Sequence, residues 1–241
     1  MDKGGITNHY PDYCYKNIRI KINTKSLNIS IGYKYIHMDN KITINETSLK
    51  ITSLYRDNYL KELYVREIAR LLELNHRTVL LNLNKLEKNN FLKSKTKGKN
   101  KYFHLNLENL ATRDLISMTE NYITIKFLSK VFLVKKLLSE IEREIKFDGI
   151  LILFGSFAGG YATEESDIDI LAIGEIDKEK IRKIGRTYGK DVNIKTSNLK
   201  NFEIALRKRD ILVREVIKEH IILKNTDKFV DMLWRYFNEI R

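Results

Sequence analysis

Residues 150–170 read Ile150-Leu-Ile-Leu-Phe-Gly-Ser-Phe-Ala-Gly-Gly-Tyr-Ala-Thr-Glu-Glu-Ser-Asp-Ile-Asp-Ile170, and the order of residue types in this stretch decides the fold of the C-terminal half. Five apolar residues closed by Gly155-Ser156 read as a buried strand that ends in a turn. The small residues that follow lead into a helix start, where unpaired backbone N–H groups and the positive end of the dipole suit a polyphosphate. Gly155 allows the backbone to come close to such a ligand. With ten residues between, Ser156 is followed by Asp167-Ile-Asp169, which begins a second strand. In a strand Asp167 and Asp169 project to one face while Ile168 and Ile170 bury on the other. Two carboxylates held together call for a cation. Oxygen donors beside a phosphate ligand indicate Mg²⁺ or Mn²⁺ rather than zinc, for which Cys/His clusters are absent.

Working outward, strands are expected at Ile168–Ile173, Val192–Thr196 and Ile221–Leu223, alternating with helices at Lys178–Tyr188, Leu199–Arg207 and Ile211–Glu219. That order gives a small α/β domain at 147–225 with a mixed sheet, followed by a C-terminal helix at 226–241. The stretch from Lys146 to Asn225, with Gly155-Ser156, Ala158, Gly160, Ala162 and the Asp-x-Asp pair, resembles the polymerase-beta-like nucleotidyltransferase superfamily, in its minimal nucleotidyltransferase branch. The resemblance implies an NTP substrate, Asp167 and Asp169 as metal ligands, and Gly155 and Ser156 on the β- and γ-phosphates. It also implies a third carboxylate on the next core strand. Here that strand reads Gly189-Lys-Asp-Val-Asn-Ile-Lys195, with Asn193 at the best-matching catalytic position and Asp191 two residues earlier on the same face. An amide is a neutral ligand and takes no proton, so both Asn193 and Asp191 stay open as the third group.

Upstream, Val65, Ile68 and Leu72 share a helix face, Glu73-Leu-Asn75 makes a turn, and Val79, Leu83 and Leu86 form the apolar stripe of a helix from His76 to Lys88. Two strands joined around Gly98 follow. This helix-turn-helix with a wing, assigned to 49–108, resembles archaeal and bacterial winged-helix regulators, which implies double-stranded DNA as a partner. The contacts expected are His76, Arg77 and Lys85 on the second helix, with Leu81 at the centre of its outer face. On the wing they are Lys93, Lys95, Lys97, Lys99 and Lys101, in a run with no carboxylate from Phe91 to Leu105. Between the domains, 109–146 reads as one long linking helix, with Phe127, Val131, Val134, Leu138, Ile141 and Ile145 spaced as a heptad seam. Such a seam serves either packing on its own domain, which a run this short favours, or a homodimer.

The first 48 residues look foreign to the rest. They hold the only proline, Pro11, and the only cysteine, Cys14, and show alternation at Asn17–Ile22 and Leu27–Ile31 among Tyr13, Tyr15, Tyr33 and Tyr35. They are expected to be an extension without assigned function, with Met38 an alternative start. Across 241 residues Lys plus Arg exceed Asp plus Glu by 44 to 31, a net +13, which draws polyanions. A lone cysteine, no apolar leader and no uncharged run of about 18 apolar residues point to a cytoplasmic protein without a membrane span. The combined expectation is an α+β / α/β chain that transfers a nucleotidyl group from an NTP to an unknown acceptor, a HEPN-type partner protein being one option that the nucleotidyltransferase resemblance alone implies. The rivals are a DNA-binding regulator or antitoxin-like protein whose nucleotidyltransferase fold binds nucleotide or a partner without efficient catalysis, and a purely structural dimer.

Overall fold

The computed structural model describes residues 42–241 and the backbone of Lys21–Ile22 and Ile29–Ile31. The chain divides into two units, 1–46 and 47–241. In the first, β1 (Lys21–Ile22), β2 (Ile29–Ile31) and β3 (Ile42–Ile44) form an antiparallel sheet in that order, with Ile29 opposite Ile44. The expectations for Pro11, Cys14, the tyrosines and Met38 lie outside the described residues.

Along the chain there follow α1 (Glu46–Ser53), β4 (Leu63–Tyr64), α2 (Val65–Leu71), α3 (His76–Lys88), β5 (Leu92–Lys97) and β6 (Asn100–Leu105), all but the first residue of α1 in the second unit. Asn75 caps α3 by accepting from the Arg77 N–H at 2.8 Å. The stripe Val79, Leu83, Leu86 is at most 1% exposed. At ~1.5–3 kcal/mol for each fully buried aliphatic side chain, it fixes α3 against α2 and the sheet. That sheet has the order β4-β6-β5, and Gly98 turns the β5–β6 hairpin in the left-handed region. The result is a winged helix. Leu63–Tyr64, just before α2, is a short strand paired with Tyr102–Phe103.

The expected single linking helix is two helices, α4 (Leu110–Lys130) and α5 (Phe132–Glu144), interrupted at Val131 (φ −104°, ψ 79°). Its halves serve different layers. α4 packs on the last strand and the last helix of the chain, whereas α5 packs on the helix at Lys178–Thr187. The seam residues Val134, Leu138, Ile141 and Ile145 enter the C-terminal core, with Phe127 and Val131 against its margin.

The remaining elements are β7 (Ile150–Phe154), α6 (Gly155–Gly159), β8 (Ile168–Ile173), α7 (Lys178–Thr187), β9 (Val192–Ser197), α8 (Leu199–Arg207), α9 (Ile211–Lys218), β10 (His220–Lys224) and α10 (Thr226–Glu239). They build a mixed sheet of order β10-β7-β8-β9, antiparallel except for the parallel β8–β9 pair. Leu151, Leu153, Ile168, Ile170, Val192 and Ile194 fill the core under one face of it. The opposite face carries Phe154, Asp169, Asn193 and Lys195, because side chains alternate along each strand. No helix of the described residues is long and apolar enough to cross a membrane.

Candidate active site

Gly155 follows the last residue of β7 with φ +68°, and a Cβ built on it would lie 2.6 Å from Asp169 Oδ2. Backbone conformation and the nearness of a carboxylate therefore both require glycine here. Asp169 faces this point because the β7–β8 register sets it directly opposite Phe154. Its carboxylate stands against the start of α6, where the N–H groups have no intrahelical partner. Ser156 is half-buried, and its hydroxyl makes no hydrogen bond within the described residues.

Asp167 is exposed and immediately precedes β8. The exposed, buried, half-buried succession at Asp167, Ile168 and Asp169 follows strand alternation. The loop before it is shaped by the Thr163 N–H, which donates to Ser166 Oγ at 2.8 Å, and by Lys190, which donates to the carbonyls of Glu164 and Ser166.

The parallel β8–β9 register places Asn193 opposite Asp169, and Asn193 Nδ2 donates to Asp169 Oδ1 at 2.9 Å. Asp191 lies one step before the ladder, beside Asp167, its carbonyl accepting from the Ile168 N–H at 2.9 Å. Among the described residues no group of three or more His, Cys, Asp or Glu side chains is placed to hold a metal. Two carboxylates without a cage fit a Mg²⁺-type ion that arrives with phosphate oxygens and keeps its waters, rather than a closed protein site.

Lys195, not singled out from the sequence, lies on the Asn193 face of β9 with its Nζ 5.7 Å from the centre of the Phe154 ring. The alternation Val192-Asn-Ile-Lys195 was the available signal. The transverse row also continues the other way, since His220 at the start of β10 is opposite Phe154. His220 is 2% exposed, and its Nε2 lies 3.3 Å from Glu120 Oε1 on α4. Arg56 closes the group, donating to both Glu120 oxygens and, at 2.7 Å, to the His220 carbonyl. Burial alone would raise the Glu120 carboxyl, yet the His220 and Arg56 charges hold it at about 2.

On the winged helix, Arg77, Leu81, Lys85 and Lys88 line the exposed side of α3, with His76 exposed at its first position. The wing lysines differ. Lys93 pairs with Glu108, Lys95 and Lys97 both pair with Glu62, and Lys101 pairs with Glu87. Hydrogen bonds from Lys95 and Lys97 lower Glu62 to about 2, and those from Lys93 and Arg241 do the same to Glu108. Lys99, at the tip, has no such partner among the described residues. The three glutamates lie outside the run Phe91–Leu105, so the local sequence gave no sign of them.

Residues 134–229 match the nucleotidyltransferase domain family. A protein of Methanocaldococcus jannaschii whose name assigns it to the protein adenylyltransferases is 67% identical over 27 residues, 11% of this chain. That stretch spans 27% of the curated relative's length. Among solved structures, a toxin–antitoxin complex with AMP-PNP is 20% identical over 45% of this chain and 83% of its own, with a TM-score of 0.30. A winged helix-turn-helix DNA-binding domain from Mycobacterium bovis is 20% identical over 36% of this chain and 70% of its own, with a TM-score of 0.26.

Proposed function

We propose, from the match of residues 134–229 to the nucleotidyltransferase domain family, that this chain is a cytoplasmic enzyme that moves a nucleotidyl group from an NTP to an acceptor hydroxyl, with Mg²⁺ or Mn²⁺, while its winged helix holds double-stranded DNA. Asp169 seated against Gly155, with Asp167 at the mouth of the same strand, supports this activity above all. Asp167 and Asp169 would hold the cation. When bound, it supplies positive charge to the phosphate oxygens on which negative charge grows during transfer. Gly155 and Ser156 bind the outer phosphates through backbone N–H groups and the free hydroxyl, and the Asn193 amide keeps the Asp169 carboxylate in its rotamer. The acceptor oxygen forms a bond to the α-phosphorus as the bond to the bridging oxygen breaks. Pyrophosphate leaves with the electron pair, and the acceptor proton passes to water, since Asn193 cannot take it.

The acceptor proposed is a hydroxyl of a partner protein, of HEPN type by the resemblance noted above. The winged helix at 49–108, joined through 109–146, would set its exposed α3 face in the major groove. Incubation of the full chain with labelled NTP and Mg²⁺, with and without the product of the neighbouring gene, tests the activity: label on a protein and released pyrophosphate are expected. The neutral Asn193 favours a second reading, nucleotide binding without efficient transfer. Saturable Mg²⁺-dependent binding with no pyrophosphate released would decide for that.

A further inference from the structure

The face of the sheet that carries Asp169 also carries a cation for which the fold has no other use. Lys195 is exposed, forms no ion pair among the described residues, and lies one same-face step along β9 from Asn193. Its ammonium nevertheless reaches the ring of Phe154 on β7, two strands away. With neighbouring strands ~4.8 Å apart, that reach crosses β8, the strand whose Asp169 is the ladder partner of both Phe154 and Asn193. A surface lysine without a function at this place would extend into water, as its entropy favours. Here the cation–π contact holds it over the sheet instead. The site then contains two carboxylates, one neutral amide and one fixed ammonium. Two carboxylates balance one divalent ion; Asp191, the next carboxylate, lies one step before the ladder, and no three such side chains are grouped to hold a metal among the described residues.

We propose that Lys195 is a phosphate-contacting catalytic residue: its ammonium binds a non-bridging oxygen of the transferred α-phosphate, and Asp167 and Asp169 hold a single divalent ion. This rests on the nucleotidyltransferase reading and narrows it to a site with one metal and one lysine. The ammonium stays protonated throughout and stabilises the charge that grows as the acceptor–phosphorus bond forms and pyrophosphate departs. Because Lys195 is exposed, replacing it does not open the core.

The test is the number of Mn²⁺ ions bound per chain, read by electron paramagnetic resonance with a non-hydrolysable α,β-methylene NTP. It is run on the wild type, Lys195→Met, Lys195→Arg and the double variant Asn193→Asp/Lys195→Met. The wild type should take one Mn²⁺, and the double variant, with a third carboxylate and no ammonium, should take two. At saturating Mn²⁺, Lys195→Met should weaken nucleotide binding about tenfold, the size of one charge-assisted hydrogen bond, and Lys195→Arg should restore most of it. Two Mn²⁺ in the wild type, or unchanged nucleotide affinity in Lys195→Met, would overturn the assignment of Lys195 while leaving the transferase reading in place. No metal-dependent nucleotide binding by the folded wild type would overturn both.

Discussion

Among the described residues, Asp167, Asp169 and Lys195 on the sheet face form no ion pair, whereas the wing lysines are almost all matched. Asp169 has only a neutral amide on its Oδ1, and Lys195 rests on an aromatic ring. Four of the five wing lysines, by contrast, meet Glu62, Glu87 or Glu108. Both regions would be called charged from sequence, but the wing commits its charge to internal ion pairs and the sheet face does not. An ion already paired has to give up its partner before it can bind a phosphate, and that exchange returns little free energy. Exposed pairs are themselves worth only ~0–1 kcal/mol, so a polyanion can displace them; the cost appears as a weaker response to salt rather than as a loss of binding.

The largest effect that could break this contrast is at the sheet. Asp167→Asn and Asp169→Asn are each expected to cut nucleotidyl transfer on the order of 10²-fold or more, measured as pyrophosphate release, with folding retained by circular dichroism. Asp191→Asn, beside the ladder's first step, should change the rate less than about twofold. A large loss there would move the third group of the site from Asn193 to Asp191.

Next comes the buried group beneath the row. Glu120→Gln leaves Arg56 and His220 without their anion and should cost about 3 kcal/mol in urea unfolding. The sign of its pH dependence follows from a carboxyl held at about 2 in the fold against 4.5 outside it. The contribution is complete above about pH 4.5 and is lost as pH falls towards 2. Stability of the Gln variant should therefore be flatter than wild type over that range.

Smaller effects sharpen the other side. Replacing Arg77, Lys85 and Lys88 together by Ala should reduce the slope of log affinity against log salt for duplex DNA by roughly 2 to 3, one unit for each phosphate lost. Lys95→Ala with Lys97→Ala should reduce it by less. Glu62→Gln, which releases both lysines, should tighten DNA binding severalfold at low salt. If the wing pair alone abolishes binding, their partnership with Glu62 is not the resting state on DNA. Leu81→Ala, at a side chain 54% exposed, should leave stability within about 0.5 kcal/mol and report only on the groove contact.

Much of this was legible because the signals were local. The apolar run Ile150–Phe154, the alternation at Ile168–Ile173 and the stripe on α3 each declare their element within a few residues. The break at Val131 was not, since apolar residues continue through it in the same period and only the two different packing surfaces demand it. Neither was the Arg56–Glu120–His220 group, whose members are 64 and 100 residues apart. The site shows the same division. The Gly-Ser and Asp-x-Asp spacing could be read along the chain, while the position of Asn193 opposite Asp169, with Asp191 one step before the ladder, needed the register of two parallel strands.

That buried group has a bearing on how the protein can be cut. Arg56 comes from the winged helix, Glu120 from α4 and His220 from the edge strand adjoining the row of Asp169. A fragment ending before α4 would carry Arg56 without its anion, and a fragment starting at α4 would seal Glu120 and His220 away from the guanidinium that balances them. The helix-turn-helix is therefore not a detachable module, however familiar its outline. Grafting either half onto another protein would have to carry Arg56 and Glu120 together.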